Sequence, residues 1–356
     1  MHALWLGAVR LTARSLPELG LEETARARSL PVLDLRQRGT AFVALRTRSV
    51  LNSPAQTGMG WSVNPYVGCE FGCTYCYARY AHRYVVEPAE EGGLLGDRRL
   101  WGPREPADRG FERRIFVKEA FAAILAHDLR RAFRAPAPIV LGTATDPYQP
   151  AERRFRLTRA ALTELARHEG LSIGIITKSP LITRDRDLLQ RLAERSEVEI
   201  LISLISVDPQ LVRLVEARSP MPAARLRALA KLAQAGLNVG VIVAPVLPGL
   251  TDGRRELEAV ASAARSAGAR FLYAGTLRLY GPAREHFLPV IERSFPSLAA
   301  RYRRAYGRAA SAPPAYRDAL RRRVCRVREK FGFPAEQGME DRYRSSLPPG
   351  QLSLGV

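Results

Sequence analysis

The sequence has no apolar run of the roughly 18–20 residues that a membrane-spanning helix needs. Its first residues, Met1-His-Ala-Leu-Trp-Leu-Gly-Ala-Val-Arg10, lack the basic start, apolar middle and small-residue cleavage site of a secretory signal. A cytoplasmic protein with no membrane partner is therefore expected. Cysteine is scarce, with four in 356 residues. Three of them crowd one loop and Cys325 stands alone, which excludes a disulfide framework. Lysine is scarcer than the charge suggests: it occurs only at 118, 178, 231 and 330, while Lys and Arg together number 55. No tandem repeat of about 20–50 residues is visible, which excludes a solenoid or propeller.

What remains is a chain that is 46% hydrophobic and carries a formal net charge of +20. The first figure allows a substantial core. The second fits a polyanionic partner such as nucleic acid, and fits a merely basic, arginine-skewed surface equally well.

From residue 56 onward, short β-branched runs alternate with longer amphipathic ones. The strands expected are Trp61–Val67, Ile139–Thr145, Leu171–Thr177, Val198–Ile205, Leu237–Ala244 and Arg270–Leu277. The helices expected between them are Val117–Arg134, Glu152–His168, Arg184–Arg195, Ala223–Ala235 and Gly253–Ala267. Before this rhythm, a short strand is expected within Val32–Leu45. Residues 85–113 read as a long loop, 297–331 as one or two basic helices broken at Ser311-Ala-Pro-Pro314, and 345–356 as a loose tail. Alternating strands and helices point to an α/β fold with a parallel sheet, either doubly wound or barrel-like. Both put chemistry at the carboxyl ends of the strands. Thr145-Asp146, Lys178-Ser179, Ser206-Val-Asp208 and Pro245–Asp252 stand at those ends.

Cys69, Cys73 and Cys76 lie in one eight-residue stretch, Cys-Glu-Phe-Gly-Cys-Thr-Tyr-Cys. Three thiolates so close can serve zinc or an iron–sulfur cluster. Structural zinc takes four protein ligands, and His82 is the candidate fourth. A cubane cluster held by three cysteines leaves one iron open to another ligand. Gly68 and Gly72 permit tight turns around a bulky centre, and Phe71, Tyr75 and Tyr77 can shield it. Three inert core cysteines are the blandest alternative.

The Cys-x3-Cys-x2-Cys spacing, with Tyr75 between the last two thiols, resembles the radical S-adenosylmethionine (SAM) signature. Trp61-Ser-Val-Asn-Pro-Tyr-Val-Gly-Cys69, Phe116-Val-Lys118, Gly142-Thr-Ala-Thr-Asp-Pro-Tyr-Gln-Pro-Ala-Glu152 and Ile176-Thr-Lys-Ser-Pro180 resemble the branch related to spore photoproduct lyase. So do Ser203-Leu-Ile-Ser-Val-Asp208, Glu216-Ala-Arg218 and Ala244-Pro-Val-Leu-Pro-Gly-Leu-Thr-Asp252. The resemblance covers about residues 47–290.

It implies an incomplete (β/α)6 TIM-like barrel over 56–296, with an N-terminal extension over 1–55 and a C-terminal helical extension and tail over 297–356. It implies a [4Fe–4S] cluster on Cys69, Cys73 and Cys76 whose open iron binds SAM, and an external electron donor. Cleavage of SAM then yields methionine and a 5′-deoxyadenosyl radical. The cofactor-binding residues it points to are Tyr77, Thr145, Asp146, Lys178, Ser203 and Arg218. Lys178 is expected to pair with the cofactor carboxylate, and Val243 to line the adenine pocket through its backbone. The lyase carries a hydrogen-donor cysteine at the position matching Thr143, a departure that argues against the lyase reaction here. Nucleic acid is one candidate substrate. A zinc-bearing nucleic-acid-binding protein without redox chemistry is the rival reading.

Overall fold

A computed structural model describes residues 32–35, 40–53, 60–91 and 110–335 of the chain. The tail expected from 345 lies outside the described residues, as does the N-terminal decapeptide.

The main sheet has seven strands. They are β3 (Leu51–Asn52), β4 (Trp61–Val63), β7 (Ile139–Leu141), β8 (Ser172–Thr177), β9 (Glu197–Ser203), β10 (Val239–Val246) and β11 (Leu272–Thr276). From β4 to β11 every neighbouring pair is parallel; only β3 runs antiparallel, against β4. A second sheet holds β1 (Val32–Leu35), β2 (Ala41–Leu45), β6 (Arg114–Lys118) and β5 (Tyr66–Val67), in the order β1-β2-β6-β5.

The parallel strands form where the sequence offers short runs of Ile, Val and Leu, which suit a pleated, buried surface. Successive side chains point to opposite faces. Ile173, Ile175, Ile200, Ile202, Val239, Val241 and Val243 take the helix-covered face and are buried in the main core. They meet Leu188, Leu189 and Leu192 of α5 (Arg186–Arg195) and Leu229 and Leu232 of α7 (Pro222–Gln234). The alternate positions Ile176, Ile242 and Ala244 are only half-buried.

Several boundaries differ from the sequence reading. The run Trp61–Val67 splits between the two sheets, as β4 and β5. Val117 and Lys118 end strand β6 instead of starting a helix. Arg114-Ile-Phe-Val-Lys118 pairs residue for residue with β2, and Ala120, at φ 50°, breaks the chain before α2 (Phe121–Arg134). The segment read as loop from residue 85 begins inside α1 (Arg79–Glu91), whose His82, Val85 and Val86 are buried at helical spacing. The single helix expected over Glu152–His168 is two, α3 (Glu152–Phe155) and α4 (Leu157–Leu165), divided at Arg156 with φ 54°.

Besides α1, two helices went unread. One is α6 (Pro209–Val215), which starts on Pro209 with Asp208 accepting from the Gln210 N–H at 2.8 Å. The other is α9 (Gly281–Ser294). Helix α8 (Arg254–Ser266) follows β10, and α10 (Pro296–Tyr306) and α11 (Pro314–Lys330) complete the described chain. The break between the last two spans the Ser311–Pro314 segment. Among the described residues no helix is long and apolar enough to cross a membrane.

Helices α9 and α10 close over the cysteine loop. Cys69, Phe71, Cys73 and Tyr75 share one buried cluster with Leu277, Phe287, Tyr302 and Tyr306. Tyr75 meets Phe287 edge-on at 6.3 Å, and Phe287 meets Tyr302 at 5.7 Å. Tyr302 donates to the Pro248 carbonyl at 2.8 Å, and Tyr316 of α11 donates to Asp252 at 2.9 Å. These bonds pin the Pro245–Asp252 rim segment to the C-terminal helices.

Candidate active site

The three cysteines sit on the loop that leaves β5 and enters α1. All are free thiols; Cys69 and Cys73 are buried and Cys76 is partly so. Gly68 turns the chain into the loop at φ 90°, a conformation that favours glycine. A Cβ there would lie 2.7 Å from the Arg114 carbonyl oxygen and 2.8 Å from that of Phe111. Gly72, at φ 57°, makes the second turn between Cys69 and Cys73.

Three segments distant in sequence hold this loop by its backbone. Phe111 accepts the Cys69 N–H at 3.0 Å. Thr145 Oγ1 and Gln149 Nε2 both donate to the Gly68 carbonyl, at 2.6 and 3.1 Å, and Gln149 Oε1 accepts the Glu70 N–H at 2.9 Å. The Val215 carbonyl, at the end of α6, accepts from the Thr74 N–H at 3.0 Å and the Thr74 hydroxyl at 3.2 Å. Arg79 adds a fourth tie from α1. Its guanidinium donates to the Cys73 carbonyl at 3.3 Å, pairs with Glu112 at 2.9 Å and lies over the Phe111 ring.

Burial dominates the electrostatics of the thiols. It pushes Cys69 well above the ordinary thiol range, with Asp146 and the neighbouring sulfurs adding to the shift. It pushes Cys73 up to about 12, opposed by Lys178 and reinforced by Glu216. Cys76 is raised by burial against the pull of Lys178. Three desolvated thiols on one loop need compensating positive charge to become thiolates, which a bound metal centre supplies. The donor set therefore fits a thiolate-held metal, an iron–sulfur cluster included.

It fits single-ion zinc less well. His82 is fully buried, with Nε2 2.9 Å from the Arg114 carbonyl oxygen and its ring packed on Phe111 and Phe116. Among the described residues no group of three or more His, Cys, Asp or Glu is arranged to hold one ion. A cubane asks something different, because each thiolate takes its own iron.

Lys178, at the end of β8, approaches the loop directly. Its Nζ is 3.9 Å from Glu216 Oε1 and 6.0 Å from the centre of the Tyr75 ring. Burial pulls its pKa down, but Cys73 and Glu216 overcome this and hold the ammonium above the usual lysine range. Asp146 is a strut beneath it. The carboxylate accepts from Thr177 Oγ1 at 2.6 Å, the Lys178 N–H at 2.8 Å and the Tyr148 N–H at 2.9 Å. Asp146 is thus the turn former before Pro147 and also ties β7 to β8. Thr145 is likewise engaged with Gly68.

Tyr77 is 42% exposed, and its hydroxyl donates to the Thr143 carbonyl. The Thr143 side chain joins Ser62 and Asn64 in a buried polar trio. Ser203 is buried near the end of β9, and its carbonyl accepts from Arg225 at 2.9 Å. Arg218 is exposed, 3.5 Å from the Glu112 carbonyl oxygen, and stays out of the Lys178–Glu216 group. Val243 faces the helix-covered core. Cys325, on α11, is exposed.

Gln149, Arg79, Glu216 and Arg225 were not singled out from sequence. Gln149 and Glu216 lie inside the motifs quoted above, but their partners Glu70 and Tyr75 are 79 and 141 positions away. Glu216 and Arg225 are fully buried and ion-paired.

The family model of the radical SAM superfamily matches residues 63–260, from β4 into α8. The chain belongs to that superfamily. It is accordingly a radical SAM enzyme. An uncharacterized protein of Mycobacterium tuberculosis is 35% identical over 344 residues, covering 95% of this chain and 93% of that one. An uncharacterized protein of Methanocaldococcus jannaschii is 26% identical over 211 residues, 59% of this chain and 70% of its own. Among solved structures, spore photoproduct lyase complexed with dinucleoside spore photoproduct aligns with a TM-score of 0.59 at 18% identity, over 86% of this chain and 85% of that chain. At that identity the likeness shows a shared fold.

Proposed function

We propose that Cys69, Cys73 and Cys76 hold a [4Fe–4S] cluster and that SAM binds beside it, across the carboxyl ends of the parallel strands. These strands act as an incomplete six-stranded barrel over 56–296, with residues 1–55 as an N-terminal extension and residues 297–356 as a C-terminal extension whose described helices, α10 and α11, cover one side. The observation that carries this reading is the loop itself: three free, mostly buried thiols on a backbone tied down from three remote segments, with one lysine ammonium beside them. When bound, the cluster and SAM supply one-electron cleavage to methionine and a 5′-deoxyadenosyl radical.

The protein's part is to position and exclude. Lys178 offers a compact charge to the cofactor carboxylate. Thr145 and Asp146 act through others, the first by holding Gly68 and the second by fixing the backbone of Lys178. Tyr77 and Ser203 lie on the elements that border the cofactor. Arg218 lies outside the Lys178 group and is kept as a contact at the outer rim. Phe71, Tyr75 and Phe287 keep water from the sulfurs.

Thr143 supports a reaction other than that of spore photoproduct lyase. An alcohol O–H gives up a hydrogen atom far less readily than a thiol S–H, and this hydroxyl is engaged with Ser62 and Asn64. The net charge of +20 is compatible with a nucleic-acid substrate, for which binding would weaken steeply with salt.

Anaerobic reconstitution tests the reading. The expected product is a brown protein with about four irons per chain that releases 5′-deoxyadenosine under reductant. Cys73→Ala should lose iron and cleavage together. A colourless protein with one zinc would overturn it.

A further inference from the structure

Glu216 follows α6 and lies 141 positions from Tyr75, yet the two are hydrogen-bonded, the Tyr75 hydroxyl donating to Oε1. The other oxygen, Oε2, accepts from Arg225 Nη2 and, at 3.0 Å, from the Ser219 hydroxyl. Arg225 is itself fixed, donating to the Ser203 carbonyl at 2.9 Å and the Pro220 carbonyl at 2.7 Å. Glu216 and Arg225 are both 0% exposed, so their mutual attraction is little screened by water. Lys178 approaches Oε1 at 3.9 Å and is the second cation on this carboxylate.

We propose that Glu216 is a positioning residue: it fixes the Lys178 ammonium beside the cysteine loop and tempers the positive charge felt by the metal centre there. The inference rests on the cluster reading above. Lysine has a long, flexible stem, and a buried carboxylate anchored by three donors gives its head a fixed counter-charge. The same carboxylate grips Tyr75, between the second and third thiols, while Val215 grips Thr74. One short stretch of chain therefore sets both the ammonium and the sulfurs. The charges gathered beside Cys73 are Lys178 and Arg225 against Glu216. Neutralising Glu216 leaves two cations where one was uncompensated. More positive surroundings favour the reduced cluster.

The test is a redox titration of the reconstituted full chain, followed by electron paramagnetic resonance, with iron content and melting temperature measured alongside. Glu216→Gln should move the cluster midpoint to a more positive potential, and Lys178→Met should move it to a more negative one. Tyr75→Phe, which changes no charge, should move it less than either. Glu216→Gln leaves Arg225 buried without its carboxylate, so Glu216→Gln/Arg225→Gln is the second variant. It removes one charge of each sign and should return the midpoint toward wild type. A merely structural Glu216 would lower melting temperature and iron content without opposite-signed shifts. A midpoint unmoved in iron-loaded Glu216→Gln, or a double variant that shifts as far as Lys178→Met, would overturn the inference. Failure of the wild-type protein to take up iron would instead overturn the cluster reading.

Discussion

Gln149 accepts the backbone N–H of Glu70 at 2.9 Å, joining the entrance of α3 to the residue after the first cysteine. Its amide nitrogen also donates to Gly68 and to Thr145, at 3.1 and 2.8 Å, so one side chain spans the start of the loop. Gln149→Ala leaves the buried Glu70 N–H without this partner, at a cost of about 1–3 kcal/mol. The expected outcome is a folded protein with a lower melting temperature that binds iron but loses it faster to a chelator. Unchanged iron retention would show that the other ties suffice.

Gly68 and Gly170 separate two costs of a side chain at positive φ. At Gly170, φ is 67° and a Cβ meets nothing within 4 Å, so Gly170→Ala adds only backbone strain, about 1 kcal/mol. At Gly68, φ is 90° and the Cβ runs into two backbone carbonyls. Gly68→Ala should therefore lower the melting temperature by clearly more than Gly170→Ala. It should also reduce iron uptake, which Gly170→Ala should leave intact.

The strands Ile139–Leu141, Ser172–Thr177 and Val239–Val246 were legible because a buried parallel strand needs an unbroken run of branched apolar residues. The cysteine loop was legible because three scarce thiols stood together. The supports of that loop were not. Tyr75–Glu216 and Glu70–Gln149 join residues 141 and 79 positions apart, and a local pattern carries no trace of such pairings. Arg218 illustrates the same limit: two residues after Glu216, it projects to solvent while the glutamate turns inward. Strand β6 was missed because Val117 and Lys118 run straight into a helical pattern. Its strand character comes from pairing with β2, beyond any local window.

Glu152 gathers more partners than a helix start requires. Tyr66 donates to its carboxylate at 2.5 Å, the Thr158 and Arg159 N–H groups at 2.9 and 3.2 Å, and Arg184 at 2.8 Å. It thereby caps α4 and ties that helix to β5, just before the cysteine loop. Glu152→Ala strands a buried tyrosine and the opening N–H groups of α4. The expected loss is near the lower end of the about 3–5 kcal/mol typical of a broken buried pair, because Arg184 keeps some solvent. Glu152→Gln retains acceptor capacity and should lose less. Equal losses in urea unfolding would assign the whole effect to charge.

Lys118 ends β6, opposite Leu45, and is only 9% exposed. Burial pushes its pKa from 10.5 down to about 8, against the pull of Asp128. The unfolded chain therefore binds more protons than the folded one between pH 8 and 10.5, and stability rises with pH across that window. Below about pH 8 the ammonium is protonated in both states and its burial cost is fully present. Above 10.5 it is neutral in both, and the cost is gone. The full swing is on the order of 3 kcal/mol. Lys118→Met removes the titrating group while keeping the apolar stem. Cysteine and tyrosine titrate in the same range, so the decisive quantity is the difference between variant and wild type. Lys118→Met should be the more stable protein at pH 7, with an advantage in urea unfolding that shrinks steadily toward pH 10.5. A constant advantage across that range would mean that Lys118 is charged in the folded protein throughout.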